Sequence, residues 1–466
     1  MKFQVISHAC MLIEDSGKRL LLDPWIIGSA YWRSWWHFPE SVPPNDAILS
    51  ADWIYLTHQH FDHFHYPSLR KFRKDPPILV PRRPVPSMEQ ALADLGFTNV
   101  IPMTYGKTMT LDGGFSLTSY LGGWKDDSAI VIQCDGTTLI NFNDCKLEDA
   151  VLDRIVQRHG PIDFVFRSHS SAQAYPQCYT SPSHEDLTLR KNEDYIRDFF
   201  NAARRCRARY AIPFASNVCF LHRETIGKND YSVFPDVLAA EYARQKKAGG
   251  PKVVVMLPGA TWDSKQGFHL VPGTVLERKA EEIARLAVKH RDALAAQDEL
   301  ERNKRLQYET FASYMGGFLR SLPWFLRIVY RAKIAYHVNV PQESWWILDF
   351  KTRRVYRTDR KPDDAASIIE VTPGLLQDAL EKGIVNFIEI SKRLKVHLRE
   401  GQALDHLISR ELLTLYEQGY FPLWKNFNPR FLGVWFRRRR EIWSYVCKAF
   451  RGRKSFIPKV GPVEEY

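Results

Sequence analysis

Residues 57–63 read Thr57-His58-Gln59-His60-Phe61-Asp62-His63 and follow directly on the apolar run Trp53-Ile54-Tyr55-Leu56. The run reads as a buried strand. The polar residues after it are costly to gather unless something compensates them. Alternate residues of an extended segment point the same way, so His58 and His60 can reach one cation. Past the strand end the chain turns, and Asp62 and His63 can face a second cation, roughly 3.5–4 Å away in two-metal sites. Imidazoles with a carboxylate suit Zn²⁺ or non-haem iron. Two divalent metal ions, zinc or iron, are therefore the expected cofactors. Asp62 is the expected catalytic residue, holding the second metal and orienting a metal-activated water.

A chain of 466 residues, 45% hydrophobic, can bury a large core and is expected to hold more than one domain. It contains no apolar run of the roughly 18 residues that a transmembrane helix needs. The N-terminus starts strand-like at Lys2-Phe3-Gln4-Val5-Ile6 and does not read as a signal peptide. Seven cysteines are scattered without a C-x-x-C pair, which predicts reduced thiols and a cytoplasmic location. Much of the net charge of +12 lies near the C-terminus, in Arg437–Arg440, Arg451, Arg453 and Lys454. No nucleic-acid fold signature goes with it, so nucleic acid is not expected as a partner.

The His58-x-His60-x-Asp62-His63 cluster resembles the metal motif of the metallo-β-lactamase superfamily. Its context agrees: His8-Ala9-Cys10-Met11-Leu12-Ile13-Glu14 followed by Lys18-Arg19-Leu20-Leu21-Leu22-Asp23-Pro24 resembles that family's first hairpin. The resemblance implies a four-layer αββα sandwich over residues 1–265, with Asp23 buttressing the metal loop from behind. Short β runs at 131–133, 139–142, 164–166, 210–213 and 253–257 suit this α/β fold, as do helical patterns near 88–95, 146–158, 185–206 and 235–247.

From Gly273 the pattern changes. Residues 275–310 are rich in Ala, Glu, Lys, Arg and Leu and read as one long helix or a helical pair, so 266–335 is expected to be a helical connector. A small C-terminal α+β domain is expected over 336–420. It has a hairpin at 345–357, a strand at 367–371 and a helix opening at Pro373. This order resembles a sterol-carrier-like unit. Residues 421–466 form a basic, aromatic tail.

Further ligands must come from later loops. Asp144, in Asn141-Phe142-Asn143-Asp144-Cys145, has the context of a bridging carboxylate, and Asp135-Gly136 before it is a hairpin turn signal. The family usually has a His shortly before this hairpin, but no His lies between His65 and Asp144. Asp126 or Asp127 is the candidate replacement, and a carboxylate-rich site favours iron. The family's last His usually follows a strand ending in Pro-x-His. Here that position is Ala215, so His222, seven residues on, is the preferred last ligand and His169 its rival. The pattern Asp126-Asp127-Ser128-Ala129, Asn143-Asp144-Cys145 and Pro213-Phe214-Ala215 with His222 resembles the metallo-β-lactamase-like part of the CMP-N-acetylneuraminate hydroxylases. Those proteins also carry a Rieske domain, which needs paired Cys and His ligands. No C-x-H…C-x-x-H pattern occurs here.

Two activities follow from these readings. The first is a metal-dependent hydrolase acting on an ester, amide, lactone or phosphodiester. The second is a non-haem di-iron oxygenase. A binding protein with a degenerate site is the alternative to both. The dense aromatics Trp25, Tyr31, Trp32, Trp35, Trp36, His37 and Phe38 suit a pocket wall or plain packing. Trp435, Ile442, Trp443, Val446 and Phe450 recur at helical spacing beside the arginines. They are expected either to pack on the enzyme or to touch an anionic membrane surface peripherally, in which case the substrate is a lipid or lipid-linked glycan rather than a free small molecule.

Overall fold

The structure, a computed structural model, describes residues 1–123, 127–245, 249–339 and 342–450. In its N-terminal part the strands are apolar at consecutive positions, and successive side chains on a strand face opposite ways. Such strands must be covered on both sides. Leu20 and Leu22 enter one core while Leu21 enters another; Ile130 and Ile132 part from Ala129 and Val131 in the same way, as do Phe164 and Phe166 from Val165.

Two sheets share the inner core. One has eight strands in the order Gly267–His269, Thr261–Asp263, Lys2–Val5, Met11–Asp15, Lys18–Leu22, Trp53–Tyr55, Ile78–Pro81 and Val100–Met103. The other has seven, ordered Lys252–Val253, Tyr210–Pro213, Phe164–Arg167, Thr137–Asn143, Asp127–Cys134, Ser116–Gly122 and Thr108–Thr110. The helix Ser87–Asp94 contributes Met88 and Leu92 to the outer core of the first sheet. Helices Asp149–His159, Asn192–Arg205 and Pro235–Gln245 cover the second. The result is the αββα sandwich that the sequence predicts. Asp135 and Gly136 turn the central hairpin with φ of 48° and 69°, as an Asp-Gly turn between twisted strands requires.

Some elements differ from expectation. The strand expected over 253–257 is only Lys252–Val253, because the chain then crosses between the sheets, burying Val254 and Met256 in the inner core before Ala260 pairs with Val5. The helix expected over 185–206 is a single turn at His184–Leu187 and then Asn192–Arg205. The span 266–335, expected to be a helical connector, is not wholly one: Gly267–His269 is an edge strand of the first sheet and Lys333–Val338 joins the C-terminal sheet, with the helices Thr274–Glu277, Lys279–Lys289, Arg291–Arg302, Tyr308–Ser321 and Leu326–Val329 between them. The first three of these helices break at Arg278 and at His290, whose ring stacks on Trp36 at 4.0 Å.

The C-terminal unit has a six-stranded sheet ordered Tyr179–Thr180, Lys395–Leu398, Ser367–Glu370, Lys333–Val338, Ser344–Asp349 and Arg354–Thr358. Its first strand belongs to the N-terminal part of the chain, so the two units share a sheet. They also share a core, in which Tyr175 and Tyr179 pack with Phe311, Met315 and Leu376.

Candidate metal centre

The metal-motif loop starts where strand Trp53–Tyr55 ends. Asp23 holds it: this buried carboxylate accepts the Thr57 N–H at 2.8 Å, the Thr57 hydroxyl at 2.5 Å and a hydrogen bond from Asn143 Nδ2, and lies 2.8 Å from His63 Nδ1. Asp23 and Asn143 both sit in the left-handed region, with φ of 39° and 45°, at the ends of strands in different sheets. One carboxylate thus ties the two sheets together behind the site, as its place in the first hairpin implies.

In front of Asp23 two ligand groups form. His58, His60 and Asp144 offer ligand atoms within 4.8 Å of one another, and so do His8, Asp62 and His63. His58 Nε2 lies 2.9 Å from His60 Nδ1. Asp62 Oδ2 is 3.1 Å from His8 Nε2 and 3.3 Å from His63 Nε2. The groups adjoin, since Asp144 Oδ2 is 3.6 Å from His63 Nε2.

His8 is the residue that sequence reasoning missed. The Ala215 N–H donates to the His8 carbonyl at 2.9 Å, so an imidazole from the N-terminal loop stands beside the position where the family pattern ends in His. The signal was the imidazole opening the first hairpin. Tyr31 was expected only as packing or pocket wall, yet its hydroxyl donates to Asp62 Oδ1 at 2.5 Å.

His222 does not reach either group. Its Nε2 is 3.0 Å from Asp298 and its Nδ1 accepts the Glu224 N–H, because the loop after Val218–Phe220 runs toward the connector helices. His169 is buried close enough to His8 for the two charges to oppose each other, with its backbone N–H on Ser216 Oγ. Asp127 belongs to neither ligand group but lines the same cavity as His60, Asp62 and Asp144. Asp126 lies outside the described residues.

Burial and the neighbouring carboxylates set the charge of the site. Burial, together with His63 and His60, pushes the His58 imidazole well below its ordinary pKa, so it is neutral. Burial alone would raise Asp62, but His63 and His8 hold its carboxyl well below the usual range. Burial alone would lower His63, but Asp62, Asp144 and Asp23 hold it well above. Ligands must be deprotonated imidazoles and carboxylates, so as a ligand His63 would give up its proton and a bound cation would take over the positive charge that these three carboxylates favour. The residues fit metal binding: His63 Nε2 and His8 Nδ1, both in a ligand group, are buried without a hydrogen bond of ordinary geometry among the described residues.

A cavity of about 230 Å³ opens over both groups. The N-terminal part supplies one wall, with Asp144, Lys146 and Arg190; the C-terminal unit supplies the other, with Leu404, Leu407 and Arg410.

Residues 2–146 match a family model described as Beta-lactamase superfamily domain. A Mycolicibacterium smegmatis protein with the provisional name Rieske 2Fe-2S iron-sulfur protein is 30% identical over 282 residues, covering 56% of this chain and 53% of that protein. The cytidine monophosphate-N-acetylneuraminic acid hydroxylase of Cricetulus griseus is 34% identical over 151 residues, 30% of this chain and 26% of that one. The chain therefore spans about half the length, or less, of these relatives. Among solved structures, isothiocyanate hydrolase from Delia radicum gut bacteria aligns with a TM-score of 0.41 and 16% identity, covering 56% of this chain and 99% of that one. Sheet order and matched residues agree: residues 2–146 carry the likeness to the beta-lactamase superfamily domain, and the sandwich they belong to has the metallo-β-lactamase fold.

Proposed function

We propose that the protein is a metal-dependent hydrolase with a binuclear centre, for which His58, His60 and Asp144 would hold one ion and His8, Asp62 and His63 the other, with Asp144 as the candidate shared ligand. The observation that carries this reading is the adjacency of two complete ligand groups at Asp144 and His63. Bound divalent ions would supply Lewis acidity and a water whose pKa falls to roughly 7.

The chain's own residues prepare for that chemistry. His58 offers a neutral lone pair because burial disfavours its proton. Asp62 is held from both sides, by Tyr31 on one oxygen and His8 on the other, so its carboxylate cannot swing. Asp23 fixes the His63 ring through Nδ1 and leaves Nε2 facing Asp62 and Asp144. Leu404, Leu407 and Ile408 roof the cavity and displace bulk water from the polar end.

Elemental analysis of the purified protein tests the proposal. Two equivalents of metal per chain are expected, falling to one or none in Asp144→Ala, with loss of turnover on a panel of ester, lactone and phosphodiester substrates. One equivalent or fewer in the unmodified protein would sink the binuclear reading.

A second reading, a di-iron oxygenase, is favoured by the sequence likeness to the hydroxylases named above and by the carboxylate that Asp127 adds to the cavity. Iron as the retained metal together with product formation that stops under nitrogen selects it over hydrolysis.

A further inference from the structure

The cavity has a second pole. Lys146 lies two residues beyond Asp144 and lines the same space. Its ammonium lies 5.3 Å from the centre of the Tyr195 ring, and the Arg190 guanidinium lies 4.3 Å from that same ring. Arg190 is paired with Asp198 at 2.5 Å. Arg167, also buried, acts on Lys146 as a further positive charge. Lys146, Arg190 and Arg167 thus gather around Asp198 and the Tyr195 ring. Among the described residues Lys146 has no carboxylate within ion-pair distance. A solvated lysine could turn away to water, but this one is held beneath an aromatic ring inside the cavity.

The Tyr195 phenol responds to this field. Burial would raise its pKa, yet Lys146 and Arg190 pull it below its ordinary value. Its oxygen accepts from the Ser171 hydroxyl at 3.2 Å. Across the cavity from this corner the C-terminal unit presents Leu404, Leu407 and Ile408. The space therefore holds the ligand groups, the Lys146–Arg190 cation pair and an apolar patch of Leu404, Leu407 and Ile408 within a C-terminal wall that also carries Arg410 and Glu411.

Resting on the hydrolase reading for the identity of the site, we propose that Lys146 and Arg190 bind the anionic group of the substrate while its apolar part lies along Leu404, Leu407 and Ile408. The substrate class is an amphiphilic organic anion, a phosphate, sulfonate or carboxylate with a hydrocarbon portion. A half-buried lysine with no ion-pair partner among the described residues is stabilised by such an anion, and a charge-assisted contact gives both affinity and orientation.

Calorimetric titration of the metal-loaded full chain with hexyl phosphate, inorganic phosphate and hexanol tests this. Hexyl phosphate is expected to bind at least about tenfold more tightly than either half alone. Lys146→Met should weaken hexyl phosphate by about tenfold or more with metal content unchanged, and Leu407→Ser should erase most of its advantage over inorganic phosphate. Equal affinity of Lys146→Met and the parent, with metal retained, would mean that the anion sits on the metals alone and overturns the subsite. Metal content below two equivalents with Lys146-dependent hexyl phosphate binding intact would instead overturn the binuclear centre and leave the subsite standing.

A different observation carries a second proposal. In the helix Pro429–Phe450, Phe431, Val434, Arg438 and Glu441 are buried, with spacings of a single helical face. Arg438 pairs with Glu441 at 2.9 Å and donates to the Gly123 carbonyl at 2.8 Å. The opposite stripe, Leu432, Phe436 and Trp443, is 52%, 66% and 67% exposed, and Arg437, Arg439 and Arg440 are exposed around it. Trp424 and Phe427, just before the helix, are 71% and 69% exposed beside Lys425. The sequence pattern had put Trp435 and Trp443 on a common face with Val446 and Phe450, whose side chains lie outside the described residues.

We infer that this stripe lies on an anionic lipid surface. Arginines around aromatic and aliphatic side chains match anionic headgroups above an acyl boundary. Co-sedimentation with phosphatidylcholine vesicles, with and without phosphatidylserine, is the test. Binding is expected only with phosphatidylserine, and a Phe436→Ser/Trp443→Ser double variant should lose at least about tenfold. Equal sedimentation of parent and variant, no binding by either, or a dimer without vesicles that the double variant abolishes would each overturn the lipid assignment, the last in favour of a second copy of this chain.

Discussion

Asp62 is buried between His8 on Oδ2 and the Tyr31 hydroxyl on Oδ1, and these two contacts fix the orientation of its carboxylate. Removing the phenol should leave the fold intact and loosen the carboxylate. Tyr31→Phe is expected to weaken affinity for the more weakly held metal by about tenfold, the lower end of what outer hydrogen-bonding partners contribute; a competition titration against a chelator measures it. The two imidazoles outside the motif give an opposed pair. His8→Ala should lose metal, whereas His222→Ala, bonded as it is to Asp298 and Glu224, should retain the full complement. Metal analysis of the two variants side by side decides it, and metal loss confined to His222→Ala would reverse the geometric assignment.

At the scale of elements, two glycines let backbones approach. A Cβ on Gly122 would lie 2.7 Å from Cys145 Sγ and 2.8 Å from the Lys146 carbonyl, so Gly122 allows the loop carrying Asp144 to lie against strand Ser116–Gly122. Gly122→Ala is expected to cost about 1–3 kcal/mol, as overpacking does, and to lower metal content by moving that loop. Gly374, in helix Pro373–Lys382, would place a Cβ against the Glu301 carbonyl at the end of the connector helix Arg291–Arg302. Backbone cannot step aside as a side chain can. Gly374→Ala should therefore lower the urea midpoint by an equivalent of at least about 2 kcal/mol without touching metal binding.

At the scale of the molecule, buried ionisable groups join the units. Arg393 of the C-terminal unit meets Glu224 at 3.0 Å and Glu301 at 2.6 Å, bridging to the N-terminal part and to the connector. Arg393→Met strands both carboxylates and is expected to destabilise by about 3 kcal/mol in chemical denaturation. Glu417 accepts from the Tyr314 hydroxyl and from the Val385 N–H at 2.6 and 2.8 Å, but burial outweighs these donors and pushes its carboxyl up to about 7. Because the folded-state pKa lies above the unfolded value, Glu417's contribution to stability is complete at pH values below about 4.3 and is lost as pH rises through about 7. Glu417→Gln should flatten the fall in stability between those values; an unchanged slope across that range would place the titration elsewhere.

The metal-motif loop, the first hairpin and the central strands near 131–142, 164–166 and 210–213 were legible in the sequence, whereas strands such as Ile78–Pro81, Ser116–Gly122 and Gly267–His269 were not, and the buttress at Asp23 was implied only by the family resemblance, since its partners Thr57 and Asn143 lie 34 and 120 positions away. Strand alternation, an Asp-Gly turn and a polar burst after an apolar run are local statements about burial. His8 could not be assigned as a partner of Asp62 this way, nor Tyr31, because their meeting with it depends on how separate loops come together; His8 and Asp62 are 54 positions apart. Trp32, next to Tyr31, donates to Asp378 at 2.7 Å, a contact that exists only once the C-terminal unit has docked. The same docking roofs the cavity with Leu404, Leu407 and Ile408, so the shape of the substrate space was decided by tertiary structure alone. His222 marks the boundary between the two kinds of knowledge: its distance along the chain from Pro213 suggested a ligand, but the direction of the intervening loop, set by packing against the connector helices, carries it to Asp298.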